Sequence, residues 1–399
     1  MTAMATARPL NGTIIALMAT ITVFALTQGV TYPLLSIELK AAGFSEQMIG
    51  LNSAMTPLGI IVASPFAPRL AKALGLGVAL IACIVATGLL FMALPLVDDF
   101  HAWMVLRFLL GATSAGLYVI GETGIHQLVP DHARGRITGI YNAMMVTGYA
   151  AGPAILSVTG TEGWAPYAVS FAFVLVTAIG VAIVRGALPS MADDGNKADF
   201  KTSLSFMKAA PALLLAAGAV ALFDHVNISL LPIYAQEHGI TESVAVNLLT
   251  AVLVGGTLAQ VLVGWLTDRL GVALVMVGCA AVVVGGCAIL PEVIDTAAVW
   301  PLCIVWGAAA FGPLTAAMTD LGRRFSGTML AVGNAILSVT WGVGQAAGSQ
   351  VGGVAMETLG RDGFTMAIGA TFAILALTYA GKALRGTVAP APATAAQAA

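Results

Sequence analysis

Apolar residues along this chain do not alternate with polar ones. They run on for whole helix lengths, and the stretches Leu76 to Leu96 and Val272 to Leu290 contain no charged residue. Barrel strands alternate over about ten residues, whereas a helix crossing a bilayer needs roughly 20 apolar residues in succession. Twelve such runs are present, near 13–37, 47–67, 76–97, 103–128, 136–159, 165–187, 210–235, 244–266, 272–290, 299–319, 327–352 and 363–384. The first is longer than the apolar core of a cleavable signal and is read as a spanning helix. The fifth and eleventh are rich in Gly, Ser, Thr and Gln, a composition that marks close helix contacts or a cavity lining.

Composition turns this pattern into a class. Hydrophobic residues make up 59 % of the 399 residues and charged residues 9 %, against about 25 % charged in a soluble domain. So few charges cannot cover a soluble surface of this size. There is also no basic excess to drive counterion release at phosphates, which excludes a nucleic-acid binder. The expected fold is an all-α integral membrane protein with twelve transmembrane helices, its partner the lipid bilayer.

Charge position gives orientation, because Lys and Arg collect in cytoplasmic loops. With the N-terminus inside, the cytoplasmic side holds Arg8, Arg69, Lys72, Arg134, Arg136, Arg185, Lys197, Lys201, Lys208, Arg269, Arg323, Arg324, Lys382 and Arg385. The outside holds only Lys40 and Arg361, and Arg107 lies within a run. Acids such as Glu38, Glu46, Asp98, Asp99, Glu162 and Glu237 fall outside. Both termini are therefore expected in the cytoplasm, in a multi-pass protein of the cell inner (plasma) membrane. Cys83, Cys279, Cys287 and Cys303 all lie in apolar runs without metal-ligand spacing. No disulfide, metal or cofactor is expected.

The longest internal polar stretch, Pro189 to Lys208, separates six runs from six. We expect an N-terminal bundle over 1–187, a cytoplasmic loop over 188–209, a C-terminal bundle over 210–385 and a disordered Ala/Pro tail over 386–399. The second inter-helix loop of each half invites comparison. Gly264-Trp-Leu-Thr-Asp268-Arg269-Leu-Gly271 in the second half pairs with Ser64-Pro-Phe-Ala-Pro68-Arg69-Leu-Ala71 in the first, in which only Arg69 persists. Basic fourth loops, Arg134-Gly-Arg136 and Arg323-Arg324, also correspond. Parallel repeats about an axis normal to the membrane are a transporter architecture.

These motifs resemble those of the major facilitator superfamily over about residues 10–385. Gly264-x-x-x-Asp268-Arg269-x-Gly271 is similar to its loop signature between the second and third helices of each half. Arg107-x-x-x-Gly111 resembles the Arg motif of the fourth helix in proton-coupled members. Gly148-Tyr-Ala-Ala-Gly152-Pro153 resembles the fifth-helix motif associated with drug–proton antiporters. The resemblance implies two pseudo-symmetric six-helix bundles around a cavity lined by the first and fourth helices of each half. It assigns gating to Gly264, Asp268, Arg269, Gly271 and Arg69. The residues themselves allow a blander reading, a solvated turn at 264–271 and a static kink at Pro153.

Ionisable residues inside a membrane are functional candidates, since a charge at the bilayer centre costs ~2.5–3.5 kcal/mol on insertion scales. Arg107 is one, either cavity-facing or bonded to carbonyls. Glu122 is another, either functional or a partner for a loop Arg such as Arg69 or Arg136. In the seventh run Asp224 falls near mid-membrane, and Asn227, three residues on, shares its face. His225 points about 100° away. A carboxylate that moves between water and a desolvated site can bind and release protons; the alternative is an Asp that knits helices together. No nucleotide loop, paired catalytic carboxylates or zinc-protease motif is present, so the chain is not expected to be an enzyme. The expected function is secondary active transport of a small organic molecule by alternating access, coupled to protons, with export by antiport ahead of uptake of a nutrient such as a vitamin, sugar or organic acid. A non-transporting receptor or scaffold is the remote alternative. A monomer is expected.

The orientation is testable. A membrane-impermeant thiol reagent should miss Asn196→Cys in intact cells and label it after permeabilisation; labelling of intact cells reverses the topology.

Overall fold

A computed structural model describes residues 7–128, 134–188, 200–325 and 327–384. The tail after Leu384, with Arg385, and the loop residues Asp193, Asp194, Asn196, Lys197 and Asp199 lie outside the described residues. So do the side chains of Arg8, Arg134, Arg136, Asn142 and Lys201. Among the described residues the elements are all helical. Twelve are long: α1 Ala7–Ala41, α2 Glu46–Ala63, α3 Leu76–Ala93, α4 Phe100–Leu128, α5 Arg134–Thr159, α6 Ala165–Val184, α7 Pro211–Glu237, α8 Glu242–Leu270, α9 Val272–Val293, α10 Val299–Arg324, α11 Gly327–Leu359 and α12 Gly363–Leu384.

Ten of these, all but α5 and α11, are long and apolar enough to cross a membrane by themselves. The two exceptions are the Gly- and Ser-rich runs, and they form long helices nonetheless. Their partners explain it. A Cβ added at Gly148 would sit 2.5 Å from the Thr22 carbonyl oxygen of α1, and one at Gly152 2.1 Å from the Gly29 carbonyl carbon. On α11, a Cβ at Gly344 would meet the Gly218 carbonyl oxygen of α7 at 2.7 Å. Small residues let backbones touch where apolar burial gives no drive for association.

Element boundaries follow local chemistry. Gly43, Gly75, Gly239 and Gly271 take positive φ of 83°, 81°, 80° and 83°, and each stands just past the end of a helix, where a left-handed residue favours glycine. The Ser45 hydroxyl caps α2 by accepting from the Met48 N–H at 3.4 Å. Proline opens α6 and α7 in their first turns, where its missing N–H costs nothing.

The chain divides into two compact units, one of residues through Gly195 with Glu242–Asn247, the other of Asn196–Thr241 with Leu248 onward. Within each, the second and fourth helices cross through reciprocal glycines. In the first unit a Cβ at Gly59 would lie 2.1 Å from the Phe108 carbonyl oxygen, and one at Gly111 2.0 Å from that of Thr56. In the second, Gly255 meets the Ile304 carbonyl at 1.9 Å and Gly307 that of Val252 at 2.0 Å. Gly43, Gly59, Gly75, Gly111, Gly148 and Gly152 recur at one constant spacing as Gly239, Gly255, Gly271, Gly307, Gly344 and Gly348.

That spacing corrects the register read from the loops. The counterpart of Gly271 is Gly75, so Asp268 corresponds to Lys72 and Gly264 to Pro68, not to Pro68 and Ser64. The misreading has a physical source. The second unit runs α8 unbroken to Leu270, whereas Pro65 and Pro68 break the first-unit counterpart into α2, a 3-10 turn at Ser64–Phe66 and a short helix at Ala67–Leu74. Glu38 is half-buried in the last turn of α1.

The glycine crossings are open to test. Gly111→Ala should lower the thermal midpoint of purified protein by several degrees, since overpacking costs ~1–3 kcal/mol. Gly180→Ala, with open space around it, should leave it unchanged. Equal midpoints would show that the crossing can relax.

Candidate functional site

Two intramembrane polar clusters stand apart, one in each unit. In the second, Asp224 lies midway between Pro211 and Glu237, about 20 Å from either end of α7. Its rotation is set by its neighbour. The Phe223 ring is fully buried and packs edge-on against Trp306 at 4.8 Å, Phe372 at 5.9 Å and Phe311 at 6.0 Å between centroids. Trp306 is fixed in turn by donating Nε1 to the Val283 carbonyl at 3.1 Å. With Phe223 directed into this cluster, Asp224 and Asn227 open onto a small pocket bounded by Ile228, Leu249, Val252 and Leu253.

The Asp224 carboxylate is half-buried and accepts one hydrogen bond, from Gln345 Nε2 of α11 at 3.3 Å. Asn227 donates Nδ2 to the Phe223 carbonyl at 2.8 Å, and its buried Oδ1 has no hydrogen-bond partner among the described residues. Asp224 and Asn227 thus come together as their spacing suggests. His225 is fully buried and takes no part in the lining.

In the first unit Arg107 is completely buried. It donates Nη1 to Ser53 Oγ of α2 at 2.8 Å and Nη2 to the Thr31 carbonyl of α1 at 2.9 Å. Its guanidinium lies over the Tyr32 ring, 5.3 Å from the centroid. The Tyr167 hydroxyl of α6 reaches both oxygens of Glu38, at 3.0 and 2.8 Å, and Glu38 is within electrostatic range of Arg107. Arg107 is therefore bonded to a carbonyl, as one of its two readings held, and also has a carboxylate nearby. At the constant glycine spacing Arg107, Ser53 and Thr31 correspond to Cys303, Leu249 and Asn227. The last two line the Asp224 pocket.

The Arg69 guanidinium covers the Phe66 ring, the side chain of Arg136 lies outside the described residues, and Glu122 lies six residues before the end of α4. It receives the Tyr118 hydroxyl one turn away. At the end of α8, Asp268 accepts from Arg323 Nη2 of α10 at 2.7 Å, while Arg269 stacks on Trp265 at 4.2 Å. Both partners of the ion pair are well exposed, so it adds at most ~1 kcal/mol to stability. A Cβ added at Gly264 would meet nothing within 4 Å, and Gly271 supplies the helix-ending turn. Pro153 lies inside α5 just after the close contact at Gly152.

The sequence profile of the Major Facilitator Superfamily matches residues 17–349 and again 212–398. The chain belongs to this family. The overlapping second match fits a chain built of two related halves. A relative of this transporter is the MFS-type transporter YfkF of Bacillus subtilis (strain 168), itself uncharacterized, 24 % identical over 83 % of this chain and 85 % of its own length. Among solved structures, a mutant form of the nucleoside transporter NupG superposes with a TM-score of 0.78 at 11 % identity, covering 92 % of this chain and 99 % of its own. A D-xylose–proton symporter superposes with a TM-score of 0.72 at 13 % identity, covering 92 % and 96 %. These two likenesses establish the fold.

Sequence reasoning missed the pairing of Glu38 with Tyr167 and the role of Ser53. Thr31 and Glu38 are seven residues apart on α1 and so lie on one face, a signal that was present. Nothing local marks Ser53 or Tyr167 among the many Ser and Tyr residues of the chain.

Arg107→Lys tests the buried hub. A point charge cannot reproduce the two-armed hold on α1 and α2, and charged hydrogen bonds contribute ~1.5–3 kcal/mol each. The thermal midpoint of the variant should fall by several degrees with membrane insertion intact; an unchanged midpoint would mean that Arg107 does not tie the helices.

Proposed function

We propose that this family member is a proton-coupled secondary transporter of the plasma membrane that exports a small organic molecule by antiport, with both termini in the cytoplasm. The observation that carries the reading is the Asp224 carboxylate, at mid-helix in a pocket, with one amide as its hydrogen-bond partner among the described residues. A carboxylate so placed holds a proton when water is excluded and releases it when water enters. Asn227, beside it, supplies an unengaged acceptor to a proton-carrying or substrate group. His225 is assigned a packing role, and Arg107 keeps a fixed positive charge in the first unit.

The ion pair of Asp268 with Arg323 ties α8 to α10, and we assign it, with Gly264, Arg269 and Gly271, to gating at the cytoplasmic end. Arg69 is assigned the weaker share, since in the shifted register the counterpart of Asp268 is Lys72. Export is favoured by the Gly148–Gly152–Pro153 motif and its close contact with α1. The fold shared with a D-xylose–proton symporter keeps proton-coupled uptake as the second reading.

Purified protein in liposomes with an imposed proton gradient, screened against a pool of metabolites and drugs, gives substrate and direction together. Asp224→Asn should abolish gradient-driven accumulation while substrate exchange persists. Asp268→Asn should slow turnover several-fold without uncoupling it. A variant at Asp224 that still concentrates substrate at the wild-type proton stoichiometry makes that residue structural.

A further inference from the structure

At the end where α2 gives way to α3, the first unit exposes apolar and basic side chains together. The apolar segment Glu46–Leu74 is 29 residues long, about 43 Å at helical rise, against a hydrocarbon core of about 30 Å. Its last turns, the short helix Ala67–Leu74, therefore reach the headgroup layer. Ala67 and Ala71 are buried against the unit. Phe66, Leu70 and Leu74 are 57 %, 38 % and 47 % exposed, and their four-residue spacing puts them in one stripe. Arg69 points about 100° away from Leu70. An exposed apolar stripe beside a basic face is how a helix lies at a bilayer surface. Arg185, just past α6, comes to the same place: a Cβ added at Gly77, three residues after Leu74, would lie 3.0 Å from the Arg185 Cβ. Both arginines are exposed, and neither pairs with a carboxylate among the described residues. The second unit differs at the corresponding end. There Asp268 accepts from Arg323 at 2.7 Å and Asp320 from Arg324 at 3.2 Å. At the constant glycine spacing those two acids correspond to Lys72 and Gly124. The second unit pairs its cations internally, and the first presents Arg69 and Arg185 to the outside.

We infer that this surface of the first unit binds an anionic phospholipid, with Arg69 and Arg185 on its phosphate and Phe66, Leu70 and Leu74 against its acyl chains. A guanidinium meets phosphate through parallel N–H donors. Long basic side chains reach headgroup level while their stems lie on apolar surface, and basic clusters next to a spanning helix attract anionic lipid. A zwitterionic lipid carries its own cation beside the phosphate and gains less from the arginines. A soluble anion would use the arginines and leave the apolar stripe uncovered. The stripe continues a spanning helix, so the molecule that already surrounds that helix is the one that covers it. The surface rests on neither the proton coupling nor the direction of transport proposed above.

The test is native mass spectrometry of the full chain in detergent, titrated with phosphatidylglycerol and with phosphatidylcholine of matched acyl chains. Wild type should retain phosphatidylglycerol about five-fold more tightly. Arg69→Gln combined with Arg185→Gln should cut that preference to less than two-fold. Arg69→Lys combined with Arg185→Lys keeps the charge and should keep most of the preference. Leu70→Ser combined with Leu74→Ser should weaken both lipids and leave their ratio in place. Arg361→Gln, beyond the end of α11, should change neither. Glycerol 1-phosphate in large excess should not displace the lipid, which separates a lipid headgroup from a free phosphate ester. Thermal midpoints are taken for every variant in detergent alone. Should the glutamine pair melt early, Arg185→Gln by itself decides: a two-fold loss of preference supports the surface, and no loss removes it. Equal retention of the two lipids by wild type, an unchanged preference in the glutamine pair, or displacement by glycerol 1-phosphate overturns the proposal.

Discussion

Backbone touching backbone at glycine is the contact on which everything else in this protein depends. Lipid tails are as apolar as the side chains that face them, so burying leucine against leucine contributes little to helix association in a bilayer. What remains is close packing and polar contact. At Gly59 with Gly111, and at Gly255 with Gly307, two helices approach so closely that one added methyl carbon would overlap a carbonyl oxygen. These crossings fix the second helix of each half against the fourth. In the first half they hold Ser53 on α2 and Arg107 on α4 at hydrogen-bonding distance. In the second they bring Leu249 and Val252 of α8 to the wall of the Asp224 pocket.

The two halves share this skeleton and differ in what is hung on it. Where the first carries Arg107, the second carries Cys303; where the first carries Gln28, the second carries Asp224. The Arg107 guanidinium donates to two helices, α1 and α2, and so ties them to α4, whereas the Asp224 carboxylate accepts from one amide among the described residues. The two halves keep the same backbone contacts and differ in the side chains placed on them.

Much of this was legible in the residues. The long apolar runs gave the helices and their number, and because α7 is unbroken from Pro211 to Glu237, counting residues placed Asp224 at mid-span. The Gly-rich composition of α5 and α11 correctly announced tight contacts. The loop register was misjudged because Pro65 and Pro68 break a helix whose counterpart is continuous, so similar strings do not occupy similar places. Glu38 illustrates a different limit. Its partner, Tyr167, comes from a distant segment, and tyrosine leaves no periodic trace. Only the fold says which of seven tyrosines meet which acid.

Phe223 carries a mechanical consequence. Its ring is wedged among Trp306, Phe311 and Phe372, drawn from α10 and α12. Rolling α7 about its own axis to show Asp224 to a new surface would tear that ring from three aromatic neighbours at once. The cheaper way to change what Asp224 sees is to leave α7, α10 and α12 locked as a single lever and move something else past them. The smallest moving part in this region is then a bundle of helices, and the stiffness of one phenyl ring sets its size.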